Sequence, residues 1–279
     1  MKNNKIIWVL AIMLIAIGFF ALSQTGCSSP SGGGGGGGGG FDINTLSVGL
    51  YLGSPESLTA DSAPISGVTA NDLAAAVTYV TNAANPDGAY TLLLSQDVSA
   101  GYQSLNRSNL QLTIIGIGKE RTIQFTGVSS DRLFYLNNGE SLTLGQNITL
   151  KGIPNSDTQL IRVENGSLIM LAGSKITGRT TTFRYGPVYL GGANASFTMK
   201  GGSITGNNTS SSATDASGGL YVDTSGTFTM TGGSITGNTK GTPPDAMDVV
   251  LNGATNTTKT GSKIGVSIPA GLANQPVYP

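Results

Sequence analysis

From residue 134 onward the apolar residues come in short bursts, each alternating with polar neighbours and most closed by a glycine or asparagine. The segments LFYLNNG, LIRVENG, PVYLGGA, GLYVDTS and DVVLNGA set Phe134, Ile161, Val188, Leu220 and Val249 in one column. Two residues on, Leu136, Val163, Leu190, Val222 and Leu251 form its companion. A second set pairs Leu142 with Leu144, Leu168 with Met170, Phe197 with Met199 and Phe228 with Met230. A third is anchored on Ile148, Ile176, Ile204, Ile235 and Ile264, at intervals of 28, 28, 31 and 29 residues. Alternation with period two marks a strand with one buried face. The NG, GG and TG pairs between bursts supply residues that accept the positive φ of tight turns.

Each repeat therefore holds three short strands and no helix. Leucine-rich repeats need a Leu-x-x-Leu-x-Leu core with a return segment, and propeller blades need four strands and longer periods. What remains is an all-β chain whose coils stack on copies of themselves: a right-handed, single-stranded parallel β-helix of about six three-strand coils. The phrase FTMKGGSITGNN (Phe197 to Asn208) returns as FTMTGGSITGNT (Phe228 to Thr239) because each coil must present the same shape to the next. Ile148, Ile176, Ile204 and Ile235 are expected to form one internal ladder, and Asn207 and Asn238 to hydrogen-bond along the stack. Upstream, Thr69 to Gly88 reads as a capping helix over about residues 69–85, with Thr69 or Asn71 as cap and Leu73, Val77, Val80 and Ala84 on one face. Phe41 to Ser66 is expected to add a strand around VGLYLG, and Pro269, Pro276 and Pro279 to discourage strand addition at the far end.

The GG-S/T-I-T/S-G-N phrase, the FTM strand and LTIIGIGKERTI (Leu112 to Ile123) resemble the right-handed β-helix repeats of bacterial surface proteins in the pectate-lyase-like superfamily, over roughly residues 69–266. That resemblance implies the fold. It implies little about activity, because such folds host lyases, hydrolases, adhesins and inert stalks.

The first residues change the picture of where the chain works. Lys2 and Lys5 precede an apolar run from Ile6 to Leu22, then a polar segment ending in Gly26 and Cys27, which reads as a secretory signal over residues 1–26. Retention of that run as an uncleaved anchor is the alternative. Cys27 is the only cysteine, so no internal disulfide forms, and Thr25-Gly26-Cys27 is similar to a lipobox, although Gln24 stands where Leu or Val is usual. Lipid on Cys27, a flexible polyglycine tether within residues 27–40 and a β-helix domain over residues 41–279 follow. The expected address is the bacterial cell envelope, as an outer membrane lipoprotein facing the surface or the periplasm. Charged residues are only 11% and balance at 15 basic against 15 acidic, with no basic run, which argues against nucleic acid.

Chemistry is scarce. There is no histidine and no second cysteine, so a zinc site is not expected and Ser-His catalysis is excluded. No cofactor or metal is expected: the calcium-binding aspartate cluster of pectate lyases and the GGxGxD repeat are missing. Between the inward columns lies a row expected to face solvent, Tyr135, Arg162, Tyr189 and Tyr221, followed by Asn137, Glu164, Gly191 and Asp223. Glu164 and Asp223, two coils apart, are the carboxylates a glycoside hydrolase would use; the reading preferred is that both belong to a solvated structural face. The loop RTTTFRYGP adds Arg179, Phe183, Arg184 and Tyr185 for carbohydrate or protein contact, with Phe183 alternatively folded onto the stack. The leading expectation is a non-catalytic, adhesin-like module binding polysaccharide or protein; a carbohydrate-active enzyme and a passive envelope scaffold are the rivals.

Overall fold

A computed structural model describes residues 41–223 and 225–252, and beyond them only the backbone of the strands Asn256–Lys259 and Lys263–Ile264. The signal, Cys27, the polyglycine tether and the three C-terminal prolines lie outside the described residues. Within them the chain is mostly β, a parallel β-solenoid of about five turns with one α-helix.

Three faces form the coil. The first stacks Ala89–Leu94, Gln111–Gly116, Glu140–Leu144 and then residues 166–170, 196–199 and 227–230 in parallel register. Asn256–Lys259 continues this stack beside residues 227–230, and the turns number about five where about six coils were expected. The second face stacks Val98–Ala100, Arg121–Phe125, Ile148–Lys151 and Lys175–Thr177. The third stacks Gln103–Ser104, Phe134–Leu136, then residues 161–163 and 188–190, Leu220–Val222 and Val249–Leu251.

Alternation places the predicted columns inward. Phe134, Ile161, Val188 and Leu220 are fully buried, as are Leu142, Leu168, Phe197 and Phe228. Each such side chain stabilises the fold by about 1.5–3 kcal/mol. The rings of Phe197 and Phe228 stack at 5.3 Å, so the repeated FTM strand buries aromatic on aromatic.

One ladder differs from the expectation. Ile176 pairs with Leu150, not with Ile148, and then with Ile204, which pairs with Ile235. A shift of two residues keeps the inward parity, so Ile148 is still buried. The turn glycine sets the register: Gly178, Gly206 and Gly237 take φ of 70°, 66° and 71°, a left-handed conformation costly for other residues. Gly152 follows Lys151 as Gly178 follows its partner Thr177, though without a positive φ of its own, and counting back from it aligns Leu150, and not Ile148, with the isoleucines.

The excursions between the second and third faces also stack. Thr180–Thr181, Asn208–Thr209 and Thr239–Lys240 pair in parallel, and Asp245–Ala246 adds an antiparallel edge. Asn207 and Asn238 stack at the start of two of these excursions: the Asn207 amide donates to Asn238 Oδ1 at 2.9 Å, and the Asn238 amide to Asp248 Oδ1 at 2.9 Å.

At the N-terminal end the helix runs Leu73–Thr81 and buries Leu73, Ala76, Val77 and Val80. It is shorter than expected at both ends. The cap is Asp72, whose carboxylate accepts from Ala75 N at 2.9 Å, while Asn71 takes φ 57° and accepts from Ser95 N. Beyond the other end, exposed Ala84 lies outside the helix because Arg107 donates to the carbonyls of Val80, Asn82 and Asn85, and so holds the chain as it leaves. The strand expected around VGLYLG is Gly49–Leu52, antiparallel to Ala89–Leu94.

Candidate functional site: a tyrosine and arginine strip on the third face

The outward row of the third face is set by the same alternation that buries its neighbours. Tyr135 lies beside Arg162, Arg162 beside Tyr189, and Tyr189 beside Tyr221. Guanidinium groups sit over the rings, Arg132 at 5.1 Å from the Tyr135 centroid and Arg162 at 5.2 Å from that of Tyr189, which are cation–π distances. Gly191 permits this crowding, because a Cβ there would lie 2.3 Å from the Tyr189 ring and 2.8 Å from Glu164 Oε2.

The row is not open to solvent throughout, as the alternation had suggested. Tyr221 is 0% and Tyr189 only 6% exposed, because the excursion at residues 179–187 folds back and lays Tyr185 across both. Its ring centre is 4.5 Å from Tyr189 and 4.6 Å from Tyr221, with Met247 and Val250 completing the cluster. Phe183, tilted at 5.3 Å against Tyr185, remains 47% exposed, so it both rests on the cluster and faces solvent. Arg184 covers Tyr185 at 5.0 Å, donates to its hydroxyl at 2.9 Å and pairs with Asp215 at 3.0 Å.

Beneath, the hydroxyls are tied down. Tyr189 donates to Asp223 Oδ2 at 3.1 Å and Tyr221 to Asp215 Oδ2 at 3.2 Å. Burial, and then those carboxylates, push both phenols well above their ordinary range, so they stay neutral donors. The two carboxylates considered for catalysis are engaged: Glu164 pairs with Arg162, and Asp223 accepts from Tyr189 and from Asn252 Nδ2.

Arg179 is a different residue from the one expected. It is fully buried, away from the strip. Nε and Nη2 donate to Thr158 O, at 3.2 and 2.8 Å, and Nη2 also to the carbonyls of Asp131 and Gln159, while the guanidinium covers Phe125 at 5.2 Å. Burial lowers its pKa from 12.5 to about 10, with Asp157 opposing. It staples the 153–160 excursion to the coil. The signal was present in the chain: Arg179 follows the turn glycine as Asn207 and Asn238 do, and all three positions are buried.

Of the eight nominated binding residues the fold thus brings seven onto one strip, Tyr135, Arg162, Tyr189, Tyr221, Phe183, Arg184 and Tyr185. Arg132, Asp215 and Met247 join them without having been singled out. Arg132 lies three residues before Tyr135 on the approach to the strand, whereas Asp215 and Met247 come from other excursions. An open hollow of about 280 Å³ on the second face, lined by Asp97, Thr122, Gln124 and Lys151 among others, contains none of them.

Comparison with family models, with curated proteins and with solved structures gives no match.

Proposed function

We propose that this chain is an exported surface module of the bacterial envelope, anchored in the outer membrane through lipid on Cys27, that holds a polysaccharide against the strip without cleaving it. The kinship we favour is with surface lipoproteins of the pectate-lyase-like superfamily. The observation that carries the reading is the corner formed by Phe183, Arg184 and Tyr185: partly exposed rings and a guanidinium on a rigid base of buried tyrosines, the pattern that stacks on sugar faces and hydrogen-bonds their hydroxyls. Arg162 with Glu164 and Arg184 with Asp215 balance charge locally, which suits a neutral polymer better than a polyanion. A non-catalytic role is supported by the engagement of both Glu164 and Asp223 in ion pairs or hydrogen bonds, which leaves neither placed as an unpaired general acid.

The test is binding of the solubilised full chain to a panel of neutral and acidic polysaccharides and of surface proteins, with new reducing ends and unsaturated products assayed alongside. Replacing Phe183 and Tyr185 by alanine is expected to weaken polysaccharide binding about tenfold or more, each 1.4 kcal/mol being tenfold, with no product formed. Product that disappears in Glu164→Gln would overturn the non-catalytic reading, and binding to proteins alone would overturn the choice of ligand.

A further inference from the structure

The outer surface of the first face carries a second regular feature. The inward residues of that face alternate with outward ones, and these read Gln111-x-Thr113, Ser141-x-Thr143, Ser167-x-Ile169, Ser196-x-Thr198 and Thr227-x-Thr229. The pairings keep them in line without a break: Thr113 beside Thr143, Thr143 beside Ile169, Ile169 beside Thr198, Thr198 beside Thr229. The companion column runs Gln111, Ser141, Ser167, Ser196, Thr227. Its upstream end is closed, because Thr91, beside Thr113, is buried and donates to Gly53 O under the Gly49–Leu52 strand.

Two properties set this array apart from an ordinary polar sheet face. Neither column contains a charge. And among the described residues the hydroxyls of Thr113, Thr143, Thr198 and Thr229 make no hydrogen bond within the protein, although Ser167 and Ser196 bond to each other at 2.8 Å. They stand half-exposed on a rigid stack, each hydroxyl beside a methyl, with bonding capacity directed outward.

Geometry limits what such an array can match. Rungs repeat at about 4.8 Å, and residues two apart on a parallel strand at about 6.6 Å. In tetrahedrally bonded water with O···O of about 2.75 Å, next-nearest oxygens lie about 4.5 Å apart and the layer repeat is about 7.3 Å. The two lattices agree to about a tenth in each direction, and both are uncharged. Flexible polymers or proteins have no need of a charge-free two-dimensional grid; a crystalline lattice of hydrogen-bonding oxygens does. We propose that the threonine and serine array on the first face is an ice-binding surface, distinct from the strip on the third face.

The experiment uses the solubilised full chain with Thr143→Lys and Thr198→Lys as separate variants. Each places a charge and extra bulk in the grid, and circular dichroism shows whether each keeps its fold. The chain is frozen slowly into growing ice beside an inert protein of similar size, and its recrystallisation-inhibiting activity is measured. We expect severalfold enrichment of the wild-type chain in ice over the inert protein, and loss of that enrichment in both variants; if one variant misfolds, the other decides. Enrichment no greater than that of the inert protein overturns the proposal. So does equal enrichment of wild type and folded variants, which would locate ice binding elsewhere. Variant-sensitive binding to crystalline cellulose or chitin without ice enrichment would also overturn it, assigning the face to a solid polymer.

Discussion

Arg179 offers the sharpest test of how the excursions are held. Two replacements separate charge from volume: Arg179→Met keeps most of the packing over Phe125, and Arg179→Ala leaves a cavity as well. Keeping the cation buried costs about 3 kcal/mol, from a pKa lowered from 12.5 to about 10 at 1.36 kcal/mol per unit. Against that stand bonds to the carbonyls of Thr158, Asp131 and Gln159, each worth about 1.5–3 kcal/mol with a charged donor. The balance favours the arginine by a few kcal/mol. Losing it also leaves three carbonyls without that donor. Methionine is therefore expected to destabilise by about 3 kcal/mol, and alanine by about 5 kcal/mol once the cavity is added. The assay is the urea midpoint of each purified chain, with polysaccharide binding measured per folded molecule. If methionine changes stability by less than about 0.5 kcal/mol, the size of a neutral surface change, the staple does not exist. If alanine abolishes binding but leaves the midpoint unchanged, Arg179 belongs to the binding surface after all.

Two further predictions concern the polar interior. Asn238→Ala removes the acceptor for Asn207 and leaves Asp248 Oδ1 with only the Asn238 backbone N–H, so a loss of about 2–4 kcal/mol in thermal or urea stability is expected; a neutral result would show that the asparagine stack is incidental. Glu140 is buried, its carboxylate accepting from Asn137 N at 2.7 Å and Asn138 N at 2.6 Å, and desolvation raises its pKa above the ordinary 4.5 although those bonds oppose the shift. The folded chain then holds a proton that the unfolded chain releases, so the stability of wild type relative to Glu140→Gln should fall as pH rises from 4.5 through the raised value and level off above it. A difference independent of pH would refute the shift.

Particular residues show how much could be read from the chain. Phe134, Ile161, Val188 and Leu220, and likewise Leu142, Leu168, Phe197 and Phe228, were assigned inward from alternation alone, and all are buried. The Asn207 and Asn238 stack followed from their place after a repeated turn glycine. Ile148 was misaligned because similarity of side chain was weighted above distance from the glycine that closes the strand: Leu150, two residues before Gly152, pairs with Ile176, two residues before Gly178. The helix cap at Asp72 was missed because Asn71, Asp72 and Thr69 are all competent caps, and the choice fell to Ser95, with which Asn71 bonds.

The site divides the same way. Period-two alternation is local, each strand carrying its own inside and outside, so Tyr135, Arg162, Tyr189 and Tyr221 were legible as one outward row. Whether that row meets solvent depends on the excursions, whose paths no local rule sets. Tyr185 covers Tyr189 and Tyr221, and Arg179 turns inward, because each loop packs on the one from the preceding or following coil, a contact between residues some twenty to fifty positions apart. The chain by itself determined the coil and its inward columns; only packing between coils decided which outward side chains became surface and which became a second core.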